Sequence, residues 1–443
     1  MNAFILKNKH LVFVVLAVLA YANLGYWVPR EEFLSLFFYY GLAFVSFYFL
    51  YTSTAFSEKK LFLLGISFRL ILLFCLPFWS QDFYRFIWDG RLVFSGVSPY
   101  LFRPNDVIDT QPVFQARELY NAMGDLSASH FSNYPPVNQF LFAIAAFLSP
   151  KSIFFASLIF KIGILLADIG IYQYGKKILL FLNLNTKNIF LYFLNPLVII
   201  ELIGNAHFEG IMLFFFIVGL WFYFQNKWIL SALFIALSIS TKLLPLLLLP
   251  FFYQRLGIKK SILFYALILI INGLLFIPFV SDTLIHNYSE TIALWFVNFE
   301  FNASFYYIFR EIGFWIKGYN TIGIIGKMIP VFTILIIVFF ALFRNNKVPK
   351  LFFVNSLLAL SIYFFTATTV HPWYVCNLIV LSIFTKYRFV VVWSGMVILS
   401  YFAYSQKPFE ENLFLIFVEY AFVYSFLIYE CFKKSKKHGV ILN

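Results

Sequence analysis

The chain has 443 residues, of which 62% are hydrophobic and only 12% charged, too few charges to coat a water-soluble globule of this size. Its net charge of +13 does not mark a nucleic-acid binder, because most Lys and Arg residues fall in short connections between apolar runs, as cytoplasmic loops of membrane proteins do. The three cysteines, Cys75, Cys376 and Cys431, show neither metal-ligand spacing nor an evident disulfide pairing.

Apolar runs near ~20 residues match a hydrocarbon layer of ~30 Å, and lipid allows such runs only as helices. The expectation is a single all-α polytopic membrane domain over residues 1–443, with about 13–14 transmembrane helices. Residues 6–22 mimic a signal peptide, with Lys7 and Lys9 ahead of an apolar run. The run continues to Trp27 and Val28, so an uncleaved first helix is expected. Spans are placed at about 11–28, 33–53 and 61–79, followed by a long polar loop over 80–137. The run 138–149 is too short to cross untilted and reads as re-entrant or interfacial. Further spans follow at about 153–173, 188–203, 209–224, 228–241, 243–254 and 261–280. After a second external stretch at 281–320 come 321–343, 351–368, 372–385, 389–405 and 413–431.

Basic residues set the orientation. The segments around Lys7/Lys9, Lys59/Lys60, Lys176/Lys177/Lys187, Lys227, Arg255/Lys259/Lys260, Arg344/Lys347/Lys350, Lys386/Arg388 and Lys433–Lys437 hold 20 of the 33 Lys and Arg residues. Placing them all on the cytoplasmic side puts both termini there and the 80–137 loop outside.

Within that loop, Asp82, Arg85 and Asp89 fall on one face of a helix by their spacing. Phe83, Phe86, Ile87 and Trp88 fall largely elsewhere, so the segment reads as an amphipathic helix in the membrane plane. A structural salt-bridge network and a functional carboxylate row explain that face equally well. The loop also holds five of the seven aspartates, and a loop of this length in a compact protein is usually functional or disordered. The second constellation is Asn195-Pro196, then Glu201 and Gly204-Asn205-Ala206-His207-Phe208-Glu209-Gly210. A tight hairpin needs its glycines, but not His207 and Glu209. Lys242 stands at an external helix break and His371 at another, while Arg310 lies on an expected interfacial helix. Snorkelling alone would account for Lys242. Arg69 and Asp168 lie inside spans, where a buried pair is the simplest reading. No phosphate loop, paired-Cys metal site or nucleophile elbow is present, so an enzyme here must draw its energy from an activated substrate.

Together Asp82-Phe-Tyr-Arg85, Trp88-Asp89-Gly90-Arg91, Ser98-Pro99-Tyr100, Tyr134-Pro135-Pro136, Asn195-Pro196, Asn205-Ala-His207 and Thr241-Lys242 resemble the GT-C glycosyltransferases, and within them the bacterial polyprenyl-phosphate-mannose-dependent mannosyltransferases. The resemblance covers about residues 60–380, and the first two helices (1–60) look like an N-terminal extension ahead of it. It departs where Ser98 stands for a more usual Asn and Phe208-Glu209 for an Asn-Asp pair. It implies an inverting transfer of a hexose, mannose first of all, from a polyprenyl-phosphate carrier to a lipid or glycan hydroxyl. The reaction would take place on the external face of a bacterial cytoplasmic membrane. By the same resemblance Asp82 is the candidate base, and Asp89 orients Arg85 or binds sugar hydroxyls. Arg85, Lys242, His371 and Arg310 are candidate phosphate partners and His207 a sugar or phosphate contact. Arg91, Tyr134 and Glu209 complete the candidate substrate-binding set. No cofactor and no divalent metal are expected, the partners being the lipid-linked sugar, the acceptor and membrane lipid. Two other classes stay open on the residues alone. One is a secondary transporter or flippase using Arg69 and Asp168; the other is an external-face glycan polymerase or ligase.

Overall fold

A computed structural model describes residues 9–111, 113–297 and 299–438. Lys7 lies outside them, and so do the side chains of Lys9, Lys434, Lys436 and Lys437. Among the described residues every regular element is helical, apart from one isolated bridge between Phe301 and Thr369. In chain order the main helices are α1 (Lys9–Tyr26), α2 (Phe33–Thr52), α3 (Glu58–Leu73), α4 (Asp82–Phe94), α5 (Ala116–Ala128), α6 (Pro136–Leu148) and α7 (Ile153–Phe181). A broken pair, Thr186–Phe193 and Pro196–Gly204, follows. Then come α8 (Glu209–Phe224), α9 (Trp228–Ile239), α10 (Tyr253–Phe276), α11 (Leu284–Val297), α12 (Phe305–Lys317), α13 (Ile322–Phe343), α14 (Pro349–Thr366), α15 (Val375–Ser382), α16 (Phe389–Met396) and α17 (Leu413–His438).

Among the described residues six helices are long and apolar enough to cross a membrane, and the broken pair, bent by 51°, makes a possible seventh. Several of the remaining spans expected from the sequence fall on apolar helices of 10–17 residues, such as Glu209–Phe224 and Trp228–Ile239. Where two spans are expected at 243–254 and 261–280, one apolar stretch runs from Leu244 to Phe279. It bends at Gly257, whose φ of 71° suits a residue without Cβ. The expected span at 61–79 ends as a helix at Leu73. Its free terminal carbonyls are taken by Lys161, whose Nζ donates to Leu72 O (2.9 Å) and Cys75 O (2.5 Å). Lys161 is thus a further ionisable group inside a span, fully buried like Arg69 and Asp168.

Those last two meet. Arg69 Nε donates to Asp168 Oδ2 at 2.8 Å, Tyr192 donates to Asp168 Oδ1 at 2.6 Å, and Arg69 also donates to the Phe193 carbonyl at 2.7 Å. The network joins α3, α7 and the first half of the broken span, as the sequence reading anticipated for the charged pair.

The polar loop carries α4 and α5, with a single helical turn, Pro104–Val107, between them. Helix α4 lies on α6, with Phe86 stacked on Phe142 at 4.7 Å between ring centroids. A Cβ at Gly90 would fall 2.3 Å from the Phe142 carbonyl oxygen, so only glycine lets the two backbones approach this closely.

Candidate functional site

Asp82 is the first residue of α4, and its backbone N–H donates to Ser80 Oγ at 3.3 Å. A carboxylate in the first turn of a helix is favoured by the exposed N–H groups there. Its side chain keeps 38% of its surface open, while the His207 ring behind it is fully buried. His207 Nε2 lies 3.9 Å from Asp82 Oδ2 and 3.2 Å from Ser80 Oγ.

His207 then opens a row of rings. Its centroid is 3.9 Å from that of Trp373, and Trp373 stacks on His371 at 4.3 Å with 7° between planes. Asp82 and His371, nearly 290 residues apart in the chain, are therefore joined by two rings. The loop holding His371 is fixed from its other side, where Phe301 pairs with Thr369 and its backbone exchanges hydrogen bonds with Thr368 and Val370. Burial, then the nearby His207 and Lys242, push the His371 imidazole down to about 3. At neutral pH it is an uncharged hydrogen-bonding group, so a phosphate would meet it as a neutral partner.

Lys242 follows the end of α9 and forms a short ion pair with the buried Glu209 carboxylate at the start of α8. Glu209 Oε2 has no hydrogen-bond partner, and Lys242 retains 20% side-chain exposure. Tyr134 belongs to the same region. Burial and then the charge of Asp82 raise its phenol well above 10, which keeps it a neutral donor.

The remaining candidates are held in other contacts. Asp89 is fully enclosed and accepts from Arg85 Nε (2.7 Å), Ser132 Oγ (2.5 Å) and Gln139 Nε2 (3.3 Å). Arg85 also donates to the carbonyls of Ser127 and His130. The pair ties the end of the polar loop to α4, and of the three residues on that face Asp82 is the one that opens outward. Arg91 holds the Phe114 carbonyl and Gln115 Oε1. Arg310 is paired with Glu300 at 2.7 Å and Glu311 at 3.0 Å, in a cluster with Tyr306 and Asn320. Neither arginine is joined to the Asp82–His371 row by a contact.

Three residues at the centre gain weight from the structure. Trp373 is the spacer between two histidines. Ser80 holds both the Asp82 backbone and His207. Arg30, from the connection after α1, donates to the Trp79 carbonyl (3.4 Å) and lies 4.6 Å over Tyr404. The first helices are thereby packed into the site's surroundings.

The comparison with known families makes this helical, multi-pass chain a GT-C mannosyltransferase-like membrane protein. Residues 13–257 match the family model for the alpha-(1->6)-mannopyranosyltransferase N-terminal domain, MptA_B family. The chain belongs to that family, and the matched span includes α1 and α2 as well as Asp82, His207 and Lys242. No curated protein matches the sequence.

Proposed function

We propose that the chain moves mannose from a polyprenyl-phosphate carrier to a lipid or glycan hydroxyl, with inversion, on the external face of a bacterial cytoplasmic membrane. The observation that carries this reading is the half-open Asp82 carboxylate, set against the His207–Trp373–His371 row with Lys242 in the same region. The acceptor oxygen attacks the anomeric carbon, and the bond from that carbon to the phosphate oxygen breaks. The proton of the hydroxyl passes to Asp82, and the electron pair leaves with the phosphate. A hydroxyl is a poor nucleophile, so a positioned carboxylate assists it. A phosphate leaves without an acid but gains from donors and cations. Lys242 and the neutral His371 serve that end, with Glu209 holding Lys242 until phosphate displaces it. The basic loops support the external face, because the positive-inside rule favours Asp82 on the side opposite to them.

The test supplies purified protein with a synthetic polyprenyl-phospho-mannose and a panel of acceptors. Transfer from that donor is expected, and its absence with every polyprenyl-monophosphate sugar would overturn the reading. Orientation is checked separately by single cysteines placed at the exposed Asp125 and Lys259 positions, after replacing the one exposed native thiol, Cys431. In intact cells an impermeant maleimide is expected to reach the first and not the second.

A further inference from the structure

Behind His207, on the side away from Asp82, stands a second carboxylate. Glu201 is fully buried, and its Oε2 lies 3.3 Å from His207 Nδ1, in contact with that nitrogen but not aligned as a hydrogen bond. The imidazole is therefore flanked by two acids, Asp82 at Nε2 and Glu201 at Nδ1. Donors surround Glu201: Tyr401 Oη at 2.7 Å on Oε1, and Asn205 Nδ2 at 3.0 Å on Oε2.

The backbone is bent to make this arrangement. Glu201 sits in a π-helical turn, Ile199–Gly204, at the end of the broken span, a distortion that recurs at functional sites. The turn ends in Ala206 at φ 58°, a left-handed conformation that a residue with a Cβ adopts only at a cost. The result folds the chain back so that His207 N–H donates to the Glu201 carbonyl at 3.3 Å, with the two side chains facing each other. Asn205 extends the frame to the start of α4, where its Oδ1 accepts from Trp79 N–H at 3.3 Å.

We infer that Glu201 is a positioning residue for proton transfer, and this rests on Asp82 being the base. A carboxylate at Nδ1 keeps the hydrogen of the neutral ring on that nitrogen, leaving the Nε2 lone pair toward Asp82 and Ser80. The proton taken by Asp82 from the acceptor hydroxyl then moves to His207 Nε2. Asp82 becomes a carboxylate again, and the imidazolium lies between two negative charges. After the products leave, the proton returns through the half-open Asp82 to water. An exposed carboxylate alone is a weak base; an imidazole behind it makes the proton transfer more favourable.

Glu201→Gln keeps the size of the side chain and an oxygen for Tyr401, but turns an amide N–H₂ toward Nδ1. The ring is then driven to carry its hydrogen on Nε2, where it can no longer accept. The expected result is a kcat lowered by about 10- to 100-fold, the range for a partner that orients a functional imidazole from behind. KM for the lipid-linked sugar and the folded yield stay unchanged. In a His207→Gln background the same change is expected to add no further loss, since Glu201 acts through the ring. Wild-type kcat in Glu201→Gln overturns the inference. So does an undiminished penalty in the His207→Gln background, which would mark a purely structural acid. If Glu201→Gln folds poorly, nitrogen NMR of histidine-labelled wild-type protein, assigned with His207→Gln, reads the tautomer directly; hydrogen on Nε2 overturns the inference. Failure of the underlying base assignment shows instead as full activity in Asp82→Asn, whatever Glu201 does.

Discussion

Asp82→Asn is expected to lower kcat for mannosyl transfer by about 10²–10⁴-fold, the usual worth of a positioned general base. The substitution preserves shape and removes only the ability to take a proton. Its structural cost is small, because Asp82 is half open and makes no ion pair with a permanently charged partner. Losing its charge at the N-terminus of α4 costs about 0.3–1 kcal/mol, so the variant is expected to purify with a wild-type melting profile. KM for the donor should change little, since the proposed reaction sets the donor's phosphate against Lys242 and His371 rather than the carboxylate. Initial rates with polyprenyl-phospho-mannose at saturating acceptor provide the measurement. Full activity would spare the reaction class and remove Asp82 as base, leaving the buried His207 as the group to examine next. Asp89→Asn should differ in kind: a carboxylate with three donors and no open surface is expected to lose stability first and activity only with it.

The contrast between those two aspartates shows what the sequence could and could not reveal. Composition established the helical membrane class, and the spacing of Asp82, Arg85 and Asp89 located an amphipathic helix that begins at Asp82. Helical periodicity says which residues share a face, but not which neighbour covers it. Ser132 and Gln139 cover the far end of that face, and nothing near Asp89 in the chain foretells them. The same limit applies to His371. Its position at a helix junction was plain, while its closeness to Asp82 depends on Trp373 filling the space between two histidines. Arg310 read as a free external cation because its partner Glu300, ten residues earlier, lies beyond the reach of i,i+4 pairing. Lys161 escaped notice within an apolar run, since the carbonyls it caps belong to another helix. Glu201 was visible as a carboxylate in an apolar segment; the π-helical turn that aims it at His207 was not.

Arg69→Leu is expected to destabilise the protein by about 3–5 kcal/mol, the typical cost of leaving one member of a buried ion pair without the other. Asp168 would then be a fully enclosed charge left, among the described residues, with Tyr192 as its donor. Asp168→Leu should be comparably damaging, because Arg69 would retain only the carbonyls of Gly65 and Phe193. The double replacement is expected to recover part of the loss, since two apolar side chains pack where two charges had to be desolvated. Thermal denaturation in detergent of the two single variants and the double measures this coupling. The same three proteins bear on function. A transporter working through Arg69 and Asp168 would lose its activity in the double variant even where the fold recovers. A transferase whose chemistry lies along Asp82, His207, Trp373 and His371 should recover sugar transfer in step with its stability. The pair joins α3, α7 and the first half of the broken span, and the second half of that span carries Glu201 and leads directly to His207. Its expected part in catalysis is thus to hold that span where it places the imidazole behind Asp82.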